Sequence, residues 1–173
     1  MTDQKPIKTD SIRKDKSQCP DQPLCIWVDA DACPASVKDL LYKTVKRVHV
    51  PMVLVANQGM YVPSSQWVRL VTVAHGANVA DDHIVEQVKV GDIVITSDIP
   101  LAARVVEKSA IAIGHRGEVF DEQTVHSRLA TRNLMEEFRS AGMETSGPRP
   151  LNQKDLQQFA NSLDRTLTQR MRR

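Results

Sequence analysis

An α/β fold, with a mainly parallel central sheet between two layers of helices, is predicted by three features of this sequence. Short apolar runs alternate with segments of helical periodicity between residues 24 and 113. The runs are continuous rather than alternating, as in strands covered on both faces. The segments between them suit right-handed crossover helices, so neighbouring strands run parallel and the helices cover the sheet in a three-layer arrangement.

The elements follow in order. Residues 1–23 are polar and mixed in charge, lack apolar periodicity, and are expected to be a disordered extension. "LCIWVD" (24–29) is the first strand. Pro34 suits the first turn of a helix on which Val37, Leu40, Leu41, Thr44, Val45 and Val48 share a face. Residues 51–57 and 67–74 are the second and third strands. Asn78 is a candidate N-cap for a helix over 79–90. Residues 92–98 make the fourth strand, Pro100 opens a helix with Leu101, Ala102, Val105 and Val106 inward, and 110–113 is a short fifth strand. After Gly117 the alternation stops. A long helix over 124–141 is closed by Gly142; a Gly/Pro linker follows, and Leu156, Phe159, Ala160, Leu163 and Leu167 mark a last helix. The chain thus divides into an extension (1–23), an α/β core (24–118) and C-terminal helices (119–173). The helices are expected to pack on the core, because neither buries its apolar stripe alone.

At 173 residues the chain has room for one well-packed domain. No apolar run reaches the length of a membrane span and the first residues carry no apolar signal region. Net charge of +2 is too mild to indicate nucleic-acid binding by bulk electrostatics. Aromatic content of 4% argues against a general base-stacking platform and leaves the core to Val, Leu, Ile and Ala. Cys19, Cys25 and Cys33 form neither a disulfide framework nor a zinc knuckle, and a reducing cytoplasm is the expected setting.

Function should lie where such sheets bind ligands, beyond the carboxyl ends of the strands. The first strand ends at Asp29, with Asp31 just beyond; the second ends at Asn57; the fourth ends in Thr96, Ser97 and Asp98. In "VADDHIVEQV", Asp81 shares the inward helical stripe with Ile84, Val85 and Val88, where an unpaired carboxylate is costly. Converging carboxylates repel and raise one another's pKa, and a divalent cation removes that penalty. An all-oxygen set selects Mg²⁺ or Mn²⁺ over zinc. Asp29, Asp31, Asp81 and Asp98 are therefore candidate metal ligands and catalytic residues for phosphoryl-group hydrolysis by an activated water.

Each has a plainer reading. Asp29, Asp31 and Asp98 suit helix caps, and Asp82 suits a solvated helix start. Convergence of three chain segments on one sheet edge favours the site. Cys33 has no histidine placed as its base and is read as packing. His75, His83 and His115 lack ligand spacing and are read as surface or loop residues. Arg128, Arg132 and Arg139 line one side of the long helix, where they suit phosphate contact or pairing with Glu136 and Glu137.

"IWVDADACP", "GANVADDHIVEQV", "GDIVITSDIPLA", "RGEVF" and "FANSLDRTL" together resemble the YaiI/YqxD family of small bacterial proteins, in order and over residues 25–167. The resemblance implies a fold similar to PIN-like nuclease domains. It makes Asp29 the acidic residue closing the first strand, Asp81 with Ile84 the central Asp-x-x-Ile motif, and Asp98, beside Thr96 and Ser97, the next acidic position. Asp31 looks like a speciality of the family. "GHRGE" stands where Asn-Pro-Arg-Gly is frequent and keeps Arg116 and Gly117, and Leu156 replaces a frequent Arg, which makes the last helix less basic.

The leading expectation is a Mg²⁺- or Mn²⁺-dependent nuclease acting on RNA rather than DNA, with Asn57, Thr96, Ser97, Arg116, Arg128 and Arg132 as substrate contacts and a homodimer as the possible assembly. Two alternatives stand beside it. One is a haloacid-dehalogenase-like phosphatase, whose signature Asp-x-Asp also follows a hydrophobic strand, with Asp29 as nucleophile. The other is a non-catalytic RNA-binding or regulatory module.

Overall fold

The computed structural model describes residues 23–143, 147 and 149–172, so the expected extension lies outside the described residues apart from Pro23. The elements are β1 (Ile26–Asp29), α1 (Ala35–Val48), β2 (Met52–Ala56), β3 (Val68–Thr72), α2 (Val79–Gln87), β4 (Ile93–Ile95), α3 (Ile99–Glu107), β5 (Ile111–Ile113), β6 (Val119–Phe120), α4 (Glu122–Ser140) and α5 (Gln153–Met171). The sheet runs β3-β2-β1-β4-β5-β6. Its first five strands pair parallel, and β6 returns antiparallel on β5.

Alternation along the strands assigns the helical layers. Ile26, Val28, Met52, Leu54, Ile93, Ile95 and Ile113 form one core with Val37, Leu41 and Val45 of α1 and Phe159, Leu163 and Leu167 of α5. Cys25, Trp27, Val53, Val55, Val94 and Ala112 face the other way, onto α2, α3 and the start of α4. The arrangement is a three-layer α/β/α fold. Phe159, Leu163 and Leu167 are each no more than 1% exposed, so α5 completes the α1 layer. By contrast, α4 buries only Val125, and Leu134, Met135 and Phe138 are exposed.

Differences from the sequence reading have local causes. Helix α2 ends at Gln87 rather than continuing to Val90, because Val88 is extended and Asp92 Oδ2 accepts the Lys89 N–H at 3.0 Å. Asn78 occupies the N-cap position with left-handed backbone and no side-chain cap bond. Strand β6 has two residues, too few for a periodic signal. Cys25 is disulfide-bonded, a bridge that the cysteine spacing does not signal. Cys33 is a free buried thiol whose pKa burial pushes up to about 12. At pH 8, iodoacetamide should therefore modify native Cys33 at least ~100-fold more slowly than the unfolded chain, read by peptide mass mapping. Equal rates would contradict the buried placement.

Candidate active site

Strand β1 is the centre of the sheet. The crossover through α1 carries the chain to β2 on one side, and the crossover through α2 returns it to β4 on the other. The chain thus diverges between β1 and β4, the switch point at which parallel α/β sheets open a ligand crevice. Asp29 ends β1, and Thr96 follows β4.

Asp29 lies on the strand face that carries Cys25 and Trp27, against the α2 and α3 layer, and is 7% exposed. Thr96 Oγ1 donates to its Oδ2 at 3.3 Å and the Ala32 N–H also binds the carboxylate. Burial nevertheless holds the Asp29 pKa above its ordinary value, and Asp98 and Asp31 add to the shift by charge repulsion. Thr96 Oγ1 in turn accepts the Asp98 N–H at 3.0 Å, linking the two strand ends through one hydroxyl.

Half-buried Asp81 on α2 is pushed up to about 6 by burial, then by Asp29 and Asp98, with Arg104 opposing and Asp82 adding. Repulsion among Asp29, Asp81 and Asp98 joins three chain segments in one electrostatic unit. Asp98 is also the N-cap of α3, its Oδ2 accepting the Leu101 N–H at 3.1 Å. The cap of α1 is Pro34 without a side-chain bond, so neither Asp29 nor Asp31 fills that role. Exposed Asp31 instead accepts the Asn57 N–H on Oδ2 at 2.6 Å, tying the ends of β1 and β2.

Of the other expected substrate contacts, Ser97 Oγ accepts the His115 N–H at 3.2 Å. Arg116 is committed elsewhere: its Nη1 donates to buried Asp155 at 2.5 Å and its Nη2 to the Arg149 carbonyl. Arg149 holds the same carboxylate by two bonds of 2.7 Å, and this arginine bonding keeps the Asp155 pKa well below the carboxylate range. On the exposed side of α4, Arg128 pairs with Glu118 at 2.7 Å and Arg132 with Glu136 at 3.0 Å.

Three features of this edge are absent from the sequence reading. Lys38 reaches from the start of α1 to donate its Nζ to the carbonyl of Ala30, next to Asp29, at 3.2 Å. His115 is buried rather than on the surface, and burial, reinforced by Arg116, lowers its pKa to about 4. The buried atoms Asn57 Oδ1 and His115 Nε2 have no hydrogen-bond partner among the described residues. The first is a contact within the β1–α1 connection; burial of the others follows from tertiary placement alone.

A divalent ion fits this donor set in kind and in charge. The donors are anionic oxygens, and the repulsion among them is what a dication relieves. Among the described residues no three such side chains already stand together as a coordinating group. Asp29, Asp81 and Asp98 would have to draw in to hold one.

The raised Asp81 pKa has a signed consequence. Between about 6 and the ordinary value of 3.8 the folded state binds a proton that the unfolded chain does not, so this residue makes stability rise as pH falls through that window. Buried His115 acts oppositely below 6.5, where unfolding gains a proton. In chelator, the stability difference between wild type and Asp81→Asn should therefore change by about 1 kcal/mol between pH 7 and 4.5, after allowance for solvent screening, with wild type gaining at low pH. Parallel curves from urea unfolding would contradict the coupling.

A family model described as "Uncharacterized BCR, YaiI/YqxD family" matches residues 27–169. The chain is 50% identical to a UPF0178 protein of Dechloromonas aromatica over 142 residues, 82% of this chain and 95% of that protein. It is 52% identical to a UPF0178 protein of Aeromonas hydrophila over 82% of this chain and 95% of that one. A UPF0178 protein of Bordetella bronchiseptica is 52% identical over 85% of this chain and 92% of its own length. No solved structure matches the chain significantly. Among the described residues no helix is long and apolar enough to cross a membrane.

Proposed function

This chain belongs to the YaiI/YqxD family, and from that premise we propose that it is a Mg²⁺- or Mn²⁺-dependent nuclease that hydrolyses phosphodiester bonds of RNA. The observation that carries the reading is the geometry of the β1/β4 switch point, where Thr96 Oγ1 donates to Asp29 and accepts the Asp98 N–H, with Asp81 close enough on α2 for both carboxylates to raise its pKa. Burial and neighbouring carboxylates raise the pKa of Asp29 and of Asp81, a cost that a bound cation would relieve.

The residues divide the work. Asp29 is fixed by Thr96 and by the β1–α1 turn, so it presents its carboxylate with little rotamer freedom. Asp98 and Asp81 stand at the starts of α3 and α2. A bound divalent ion would supply a lowered pKa for an attacking water and charge neutralisation on the phosphate. Lys38, whose Nζ donates to the carbonyl of Ala30, would bring an ammonium close to Asp29 at this end of β1.

The test is cleavage of end-labelled single-stranded and structured RNA with each ion, comparing wild type with Asp29→Asn and Asp98→Asn. Purified wild type that cleaves neither RNA with either ion would sink the reading. A phosphatase of the Asp-x-Asp type would instead trap an acyl-phosphate on Asp29, visible by mass spectrometry. Independently, Mn²⁺ should raise the wild-type melting temperature by a few degrees, and both Asn variants should reduce that rise. An equal rise in all three proteins would place the ion elsewhere.

A further inference from the structure

We propose that the flank formed by α1 and the loop over residues 57–67 is a binding track for single-stranded nucleic acid leading to the carboxylate edge. The proposal rests on the nuclease reading for the position of the reacting phosphate, and on its own observations for the rest.

The first observation is a stripe along α1. Lys38, Tyr42 and Lys46 stand at i, i+4 and i+8, one above another on the helix surface. They span about 12 Å of axis. The stripe starts where Lys38 touches the Ala30 carbonyl, beside Asp29, and runs toward His49 at the helix end. Neither Lys43 nor Lys46 has an ion-pair partner among the described residues. Both are exposed.

The second observation is the opposite wall. The loop leaves β2 at Asn57, tied to Asp31, and returns alongside α1 to start β3. Met60 and Val62 pack into the core, which pins the loop, while Tyr61 between them is 87% exposed. At the far end Trp67 stacks on His49, with ring centres 5.1 Å apart and planes 23° from parallel. Between helix and loop lies a groove of about 540 Å³, lined by Tyr42, Lys43, Lys46, His49 and Trp67 together with Pro63, Val68 and the polar side chains of residues 64–66.

Among the described residues no carboxylate lines that groove; Asp39 lies one turn before Lys43 on the same helix. The chain has two Trp and two Tyr, and three of these four, Tyr42, Tyr61 and Trp67, are on this flank. Low aromatic content overall thus conceals a local concentration. Aromatic faces interleaved with unpaired lysines suit exposed bases joined by phosphates. A duplex keeps its bases stacked on one another and offers these side chains no base faces, so the ligand class is single-stranded.

The test measures binding apart from turnover. Fluorescence anisotropy of labelled single-stranded RNA, single-stranded DNA and duplex RNA is read in EDTA with the full chain. Wild type should bind both single strands in a salt-sensitive manner and duplex at least ~10-fold more weakly. The pair Lys43→Glu with Lys46→Glu should weaken single-strand binding at least ~10-fold and flatten the salt dependence, and Tyr61→Ala should weaken it ~5-fold or more. A pair of equal charge change elsewhere, Lys89→Glu with Lys154→Glu, should leave binding within about twofold of wild type. All these positions are exposed, and circular dichroism checks that each variant is folded.

Failure of wild type to bind single strands, equal or tighter binding of duplex, or equal weakening by the control pair would each overturn the track. Asp29→Asn should keep full binding in EDTA. Loss of cleavage with retained, groove-dependent binding supports the track, and metal-dependent cleavage that the groove variants leave untouched overturns it while leaving the nuclease reading in place.

Discussion

Under the proposed nuclease reading, replacing Asp29 by Asn is expected to lower metal-dependent cleavage by at least ~100-fold while leaving thermal stability unchanged or raised. The two effects have opposite signs because the carboxylate is held where its charge is unfavourable. Asp29 is buried, and burial, Asp98 and Asp31 all raise its pKa against the Thr96 and Ala32 bonds. An amide keeps the shape and an acceptor for the Thr96 hydroxyl, yet carries no charge to repel Asp81 or Asp98. A residue kept only for packing would show the reverse pattern, lower stability with activity lost in proportion to unfolded protein. Single-turnover cleavage together with a melting curve separates these cases. Cleavage within about threefold of wild type would remove Asp29 from the site.

Substituting Gly117 by Ala should destabilise the fold by on the order of 4 kcal/mol, the largest stability effect expected of a single methyl group here. Gly117 sits at φ +87°, and a Cβ would stand 2.6 Å from the carbonyl carbon of Gln158 and 2.7 Å from the amide nitrogen of Phe159. Those contacts are main chain of α5, which cannot rotate away. The same turn is fastened to that helix by Ser162 Oγ, which donates to the Gly117 carbonyl at 2.7 Å, and by Arg116 on Asp155. Gly142 is the matched comparison: its φ is +81°, but a Cβ there would meet nothing of the described residues within 4 Å. Gly142→Ala should cost only the backbone term, about 1 kcal/mol. If urea unfolding gives the two variants equal midpoints, the close approach of turn and helix is wrong.

The "RGE" turn shows where sequence reading stops. Arg116 next to a turn glycine suggests a phosphate contact, yet its partner is Asp155, 39 residues further on. Local periodicity carries no information about such a pairing. Strand ends are different. Val28 and Asp29 mark the end of β1 by the abrupt change from apolar to acidic, and Ile95 with Thr96 marks the end of β4 by a change from apolar to polar. Those two signals are local, and a parallel sheet brings them side by side without further information. The inward phase of Asp81 on its helix was legible from periodicity, and Ile84 on the same stripe is fully buried. Burial of His115 and the packing of Met60 and Val62 beneath Tyr61 depend on which layer covers which face. Phase along a single element does not decide that.

The place of α5 bears on how the chain acquires its fold during synthesis. This helix is the last of the described elements to be made, yet Phe159, Leu163 and Leu167 belong to the core that faces β1 and α1. A nascent chain that has produced everything through α4 still presents one side of its sheet partly uncovered to solvent. Ile113 and the neighbouring strand side chains acquire their cover only once α5 has been made. Folding of the complete sheet is therefore a late event that awaits α5, and ribosome-bound chains arrested before residue 153 should be the species that engage chaperones.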